Sequence, residues 1–115
     1  MRPVGSPEGG DYALKIQEGY SPMHNHPEAI KLIKSVASDI LGEEKIIPPE
    51  PDMGAEDFAF FLQKAPGAMF MLGCEIEGDT RRHHDPRFDI DEDCLPIGAA
   101  LITETALRLL RQEEK

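Results

Sequence analysis

The amino-acid sequence predicts an α/β fold, in which strands and helices alternate along the chain. Three observations favour it. Residues 11–18 alternate between apolar and polar, two long stretches repeat apolar residues with the helical period, and residues 68–73 form a short apolar run bounded by glycines. The predicted order is strand, helix, short strand, helix, strand, loop, helix. The 115 residues are enough for one domain with a hydrophobic core.

The first predicted strand covers residues 11–18, whose alternation is typical of a strand buried on one face. Residues 1–10 are rich in glycine and proline and predict a loop or a frayed terminus. Another group of turn-forming residues ends the strand. We expect a domain crossing there, with residues 1–22 separate from residues 23–115.

The first predicted helix covers residues 25–42 and has one apolar stripe. Asn25 is the expected N-cap, and Glu28 stands three residues later, as in a capping box. Gly42 is the expected C-terminal stop. A short strand at residues 46–47 is expected to follow.

The second half of the chain predicts two further helices and one strand. Residues 53–65 indicate a turn that leads into a short helix. Residues 68–73 are continuous in apolar character, as in a strand buried on both faces. Residues 74–90 are polar and predict a loop. Residues 92–112 predict a long helix with a broad apolar face.

Composition excludes some classes of function. With 12 Lys and Arg against 22 Asp and Glu, the formal net charge is −10, which argues against nucleic acid or an anionic membrane as partner. No apolar run has the roughly 20 residues of a membrane helix, and no signal peptide is visible. The two cysteines, Cys74 and Cys94, cannot build a disulfide framework. Their number predicts a cytoplasmic protein with free thiols.

The loop at residues 81–91 is the first candidate for chemistry, because it holds two histidines and three aspartates. Imidazole and carboxylate are common ligands of zinc and similar ions, and Asp85 or Asp89 could hold the second nitrogen of a ligating histidine. A solvated loop of mixed charge has the same composition. From the residues alone the solvated loop is the favoured interpretation.

The second candidate is the segment 53–58, Met-Gly-Ala-Glu-Asp-Phe. Backbone N–H groups at a helix start can bind an anion such as a substrate carboxylate. The alternative, which local reasoning favours, is that Glu56 and Asp57 serve only as acids at the helix N-terminus. His24 and His26 are expected to be surface or capping residues.

Two motifs carry a resemblance to a known family. MGAEDFAFFLQKAPGAMFMLG, followed by HDPRFDIDEDCLPIGAALI, resembles the C-terminal end of bacterial N-acyl-amino-acid amidohydrolases, which are metal-dependent and include hippurate hydrolases and plant auxin-conjugate hydrolases. The upstream GYSPMHNHPEAIKLIKSVASDILG resembles the family's return from a lid domain. The resemblance covers residues 9–112. It implies the C-terminal part of an incomplete three-layer, zinc-exopeptidase-like catalytic domain, preceded by the last strand of a lid or dimerisation domain.

The resemblance also implies roles for three residues. In the family, a histidine followed one residue later by proline and then by an aromatic residue ligates a two-metal centre. The run from His84 through Pro86 to Phe88 resembles that pattern, which implies His84 as the ligand and His83 as its neighbour. The Met-Gly-x-Glu-Asp-Phe motif lies near the family's active-site cleft. Gly54 and Glu56 are therefore expected to bind substrate, and Glu56 could also orient a ligand.

The family's other motifs are absent from this sequence. They are a His-x-Cys-Gly-His-Asp motif and a Glu-Glu pair that contains the general base. The implied function is that of a C-terminal fragment of an enzyme that cleaves N-acyl amino acids or peptides with a metal-activated water. Zinc or manganese is the implied cofactor of the complete enzyme. This chain, which supplies one ligand and no catalytic residue, is expected to bind metal weakly or not at all and to be inactive alone.

The implied partners are the small-molecule substrate and a missing N-terminal half or partner chain, with a homodimer as a further candidate. Nucleic acid and membrane are not expected. The alternative function is a non-catalytic remnant that acts in binding or dimerisation.

Overall fold

The computed structural model describes residues 13–48, 50 and 53–113. The regular elements in this part of the chain are all helical. They are α1 (Pro27–Leu41), a 3₁₀ helix (Glu43–Lys45), α2 (Phe58–Leu62) and α3 (Cys94–Glu113). None of these helices has the length and apolar character needed to cross a membrane.

Helix α1 begins differently from the prediction. Its N-cap is His26, without a side-chain capping bond. The Asn25 side chain instead pairs with the backbone of Met69, donating from Nδ2 to the carbonyl (2.8 Å) and accepting from the amide at Oδ1 (2.9 Å). Glu28 binds Lys31 at 2.9 Å. The predicted capping box is therefore wrong, because the amide of Asn25 makes two hydrogen bonds to Met69 where a cap would make one.

The C-terminal end of α1 confirms the predicted stop. Gly42 has a φ of 91°, in the region that favours glycine, and its N–H donates to the Ser38 carbonyl at 3.0 Å. A Cβ at this position would also meet the side chain of Glu44. Glycine is therefore the residue that ends α1 without strain.

Helices α1 and α3 pack against each other. Val36 of α1 is fully buried and Leu101 of α3 is only 4% exposed. Arg108 of α3 lies beside this contact and binds Asp39 of α1 at 2.7 Å and Glu104 of its own helix at 2.8 Å. Apolar burial and one shared arginine thus join the two helices.

The predicted strand at residues 68–73 is an extended segment without strand pairing to the described residues. One side of it packs on α3, since a Cβ built on Gly98 would lie 2.9 Å from Leu72 Cδ2. Met71 is 77% exposed. The prediction of burial on both faces is therefore wrong here, because helices cover only one side of the segment.

The part of residues 11–18 that the structure describes is extended and has no hydrogen bond to other described residues. Leu14 and Ile16 are each 72% exposed. The chain makes contact again just beyond it, where Tyr20 packs edge-to-face on Phe60 with ring centroids 5.6 Å apart. The predicted loop at residues 1–10 and the first two residues of the predicted strand lie outside the described residues.

The α/β class is consequently not confirmed in residues 13–48, 50 and 53–113, where residues 46–47 also form no strand. A strand needs a neighbouring strand to take its backbone hydrogen bonds, whereas a helix satisfies its own. The radius of gyration is 20.6 Å, against about 13 Å for a compact domain of this length. The predicted helices have formed, and the predicted strands lack the neighbours that would make a sheet.

Candidate functional site

Residues 75–91, which we name the His84 loop, connect the extended segment to α3. The loop is closed at its base, where the Asp91 N–H donates to the Cys74 carbonyl at 2.9 Å. Asp91 also starts α3, since its carbonyl accepts from Cys94 N at 3.2 Å and its carboxylate accepts from Asp93 N at 3.0 Å. The two ends of the loop are therefore held next to each other by this hydrogen bond.

Arg81 connects the two halves of the His84 loop. Its guanidinium grips the Asp79 carboxylate, with Nε 2.9 and 2.7 Å from the two oxygens, and its Nη1 donates to the Arg87 carbonyl. The hydrogen bonds from Arg81 lower the pKa of Asp79 to about 2. Asp79 thus stays ionised at neutral pH and keeps Arg81 in place.

A tight turn follows at residues 85–88. The Phe88 N–H donates to the Asp85 carbonyl at 2.9 Å, and the Arg87 N–H donates to the Asp85 carboxylate at 2.8 Å. Aspartate before Pro86 suits the first two positions of such a turn. The Arg87 side chain and amide lower the pKa of Asp85.

The two adjacent histidines of the loop differ in their surroundings. The His83 ring packs edge-to-face on Phe88, with centroids 5.0 Å apart. His84 is exposed and has a φ of 72°, which is uncommon for a residue other than glycine. Within the described part of the chain, His84 has no hydrogen bond, ion pair or ring contact. Of these two histidines, His84 is therefore the one whose ring is free to bind a ligand.

The expected carboxylate partners of His84 are engaged elsewhere. Asp85 binds Arg87, and Asp89 accepts from the N–H of Ile90 at 2.9 Å. In this structure neither Asp85 nor Asp89 makes a hydrogen bond to His83 or His84.

The donor set around His84 does not complete a metal site. Residues 13–48, 50 and 53–113 contain no group of three or more His, Cys, Asp and Glu side chains that could hold a metal ion. Three protein ligands are the usual minimum for a catalytic zinc. The described residues alone thus do not fit a metal ion, and His84 is a single donor.

The other two predicted site residues lie before α2. Gly54 is exposed, and Glu56 is half-buried, with its carboxylate accepting from the Phe58 N–H at 3.2 Å. Glu56 therefore accepts a hydrogen bond from a backbone amide at the start of α2, whereas the Asp57 side chain makes no capping bond there. No hydrogen bond or ion pair in the described part joins Glu56 to His84.

A profile of the peptidase family M20/M25/M40 matches residues 3–108 of this chain. That stretch includes the His84 loop, all of α2, most of α3 and the segment before α2. The chain belongs to peptidase family M20/M25/M40. The predicted resemblance to metal-dependent amidohydrolases is thereby confirmed at the level of the family.

Individual relatives agree with this membership. The protein YhaA of Bacillus subtilis (strain 168) is 33% identical over 109 residues, which cover 93% of this chain and 28% of YhaA. IAA-amino acid hydrolase ILR1-like 6 of Arabidopsis thaliana is 38% identical over 96 residues, covering 82% of this chain and 21% of that protein. Thermostable carboxypeptidase 2 of Saccharolobus solfataricus is 38% identical over 94 residues, which cover 79% of this chain and 23% of that protein. The chain spans about a quarter of the length of these relatives.

The sequence did not reveal every residue that shapes this site. Arg81 was one of several charged loop residues, and nothing in the sequence marked it as the one that ties the loop together. The sequence also does not predict that Cys74 and Cys94 lie near each other, because their separation of some twenty positions matches no known cysteine motif.

Proposed function

We propose that this chain forms the C-terminal part of the catalytic domain of a metal-dependent amidohydrolase that cleaves N-acyl amino acids or peptides. In this proposal His84 is one ligand of the metal centre. The remaining ligands and the general base come from residues outside this chain. The chain alone is then inactive.

The observation that carries the proposal is the family match over residues 3–108. The M20 family is generally dependent on divalent metal ions, and zinc or manganese is the proposed ion. Amide bonds between an acyl group and an amino acid are the proposed substrate, supported by the name of the IAA-amino acid hydrolases.

The geometry of the His84 loop supports the role of His84. The loop is anchored at Asp91 and braced by Arg81, so that an exposed imidazole stands on a fixed support. A metal ligand must be held in place by its surroundings to bind with useful affinity. His83 is engaged with Phe88 and is not part of the proposed ligand set.

The remaining elements of the proposal concern the cleft and the surroundings. Gly54 and Glu56 are proposed to line the substrate cleft. The large apolar side chains exposed on α3 support a surface that the rest of the catalytic domain covers: they are Leu95, Ile102, Leu107, Leu109 and Leu110. A homodimer could cover part of this surface.

The proposed location is the cytoplasm, where Cys74 and Cys94 remain free thiols.

The test is an assay of the purified chain with N-acyl amino acids in the presence of zinc or manganese. We expect no turnover above the metal-only blank. Calorimetric titration with zinc should give weak binding that His84→Ala reduces and His83→Ala leaves unchanged. Turnover by the chain alone that His84→Ala abolishes would contradict the proposed need for residues outside it.

A further inference from the structure

Cys74 and Cys94 lie at the two ends of the His84 loop. Cys74 directly follows the extended segment of residues 68–73, and its carbonyl accepts from Asp91 N at 2.9 Å. Cys94 is the first residue of α3, and its N–H donates to the Asp91 carbonyl at 3.2 Å. Because both cysteines bind the same residue through their backbones, the fold brings together two thiols that are distant in sequence.

The two thiols differ in exposure. Cys94 is buried, at 7% exposed, whereas Cys74 is half-buried. Burial is the main cause that raises the pKa of Cys94, and Cys74 and Asp91 raise it further. Cys94 is therefore a protonated thiol at neutral pH, and Cys74 is the sulfur that a reagent from solvent reaches first.

We propose that Cys74 and Cys94 are a redox modification site that hydrogen peroxide converts into a reversible intramolecular disulfide. The Cys74 sulfur attacks one peroxide oxygen, the O–O bond breaks, and Cys74 becomes a sulfenic acid as one water leaves. The Cys94 sulfur then attacks the Cys74 sulfur, and the S–O bond breaks. The hydroxyl leaves as a second water with the Cys94 proton, so two thiols lose two electrons and one peroxide is reduced.

The disulfide would close residues 75–93 into a covalent ring. This segment contains His84 and the braces at Arg81 and Asp85. The bond would reinforce the closure that Asp91 already makes by a hydrogen bond. Any effect of this ring on His84 as a metal ligand rests on the proposed function, whereas the formation of the disulfide does not.

The first experiment treats the purified chain with a small excess of hydrogen peroxide at neutral pH, blocks remaining thiols with iodoacetamide and measures the intact mass. We expect a monomer about 2 Da lighter than the reduced chain, without alkylation, and full reversal by dithiothreitol. Tryptic mapping should link the peptide of residues 65–81 to the peptide of residues 88–108. Cys74→Ser and Cys94→Ser should each abolish this product.

The contradicting result is a monomer in which Cys74 is oxidised to sulfinic acid while Cys94 remains alkylatable, or links only between different chains. Labelling with a maleimide gives a second test that needs no variant. Cys74 should react at least about tenfold faster than Cys94 in the folded chain. Equal rates would overturn the proposed order of attack. Neither readout depends on hydrolysis, so a failure here leaves the proposed function untouched.

Discussion

The α1–α3 pair and the extended segments at residues 13–18 and 68–73 all carry apolar side chains, but they differ in how far these side chains are buried and the backbone is hydrogen-bonded. The helices bury Val36 and Leu101 against each other and complete their backbone hydrogen bonds internally. The extended segments leave Leu14, Ile16 and Met71 largely exposed. A helix can therefore form with one neighbouring helix, because its backbone hydrogen bonds are internal. A strand forms only beside another strand, which takes its backbone hydrogen bonds.

The His84 loop lies between these two extremes. It has no regular structure, but Asp91 fixes its base and Arg81 holds its two halves together. The contrast teaches that the helices and the anchored loop hold His84 in place, whereas the apolar side chains of Leu14, Ile16 and Met71 remain exposed. Variants in each region test this contrast.

The largest expected effect lies in the helix pair. Leu101→Ala should lower the free energy of unfolding by about 2–5 kcal/mol, because it opens a cavity at the α1–α3 contact. The matched control is Ile102→Ala, one position along α3, where the side chain is 63% exposed. That change should cost less than about 0.5 kcal/mol. Urea unfolding followed by circular dichroism measures both, and equal losses would show that α3 does not pack on α1 as described.

The next effect lies where α1 meets the extended segment. Asn25→Ala removes both hydrogen bonds to Met69 and should destabilise the chain by about 1–3 kcal/mol. Amide exchange at Met69 should accelerate at least about tenfold. The control is His24→Ala, an exposed neighbour, which should leave this exchange rate unchanged. Unchanged exchange in Asn25→Ala would mean that Asn25 does not anchor the segment.

These two regions also show how much the sequence could predict. The helical period and Gly42 correctly located α1 and its end, since both depend on residues close in the chain. The role of Asn25 could not be predicted, because its partner Met69 lies 44 positions away. Asn25 is a suitable capping residue by its type and position, but its side chain makes two long-range hydrogen bonds to Met69 and does not cap α1.

The candidate site divides in the same way. His84 lies in a turn that the Asp85 N–H closes on the Arg82 carbonyl at 3.1 Å, and its place in an exposed polar loop was predictable from the composition of that segment. The helix-start role of Glu56 was the locally favoured alternative and is what the structure contains. The bracing by Arg81 depends on how the loop folds back on itself, which no local pattern encodes.

The smallest expected effect is the pH response of the His84 loop. Because the folded pKa of Asp79 is lowered to about 2, its stabilising contribution is complete above its ordinary pKa of 3.8 and is lost as pH falls toward 2. The Arg81 amide resonance should therefore titrate with a midpoint near 2. Asp79→Asn should remove this titration, whereas Asp89→Asn should keep it. A midpoint near 4 in the unsubstituted chain would contradict the brace.

The central claim is that His84 is a ligand in a metal centre completed by residues outside this chain. The most direct test is a hybrid of thermostable carboxypeptidase 2 in which residues of this chain replace the matching 94-residue stretch. The readouts are peptide hydrolysis and bound metal per chain, with circular dichroism as the folding control. We predict that His84→Ala lowers both hydrolysis and bound metal at least about 100-fold, while His83→Ala leaves both within about twofold. Retention of metal and hydrolysis in the folded His84→Ala hybrid would contradict the claim.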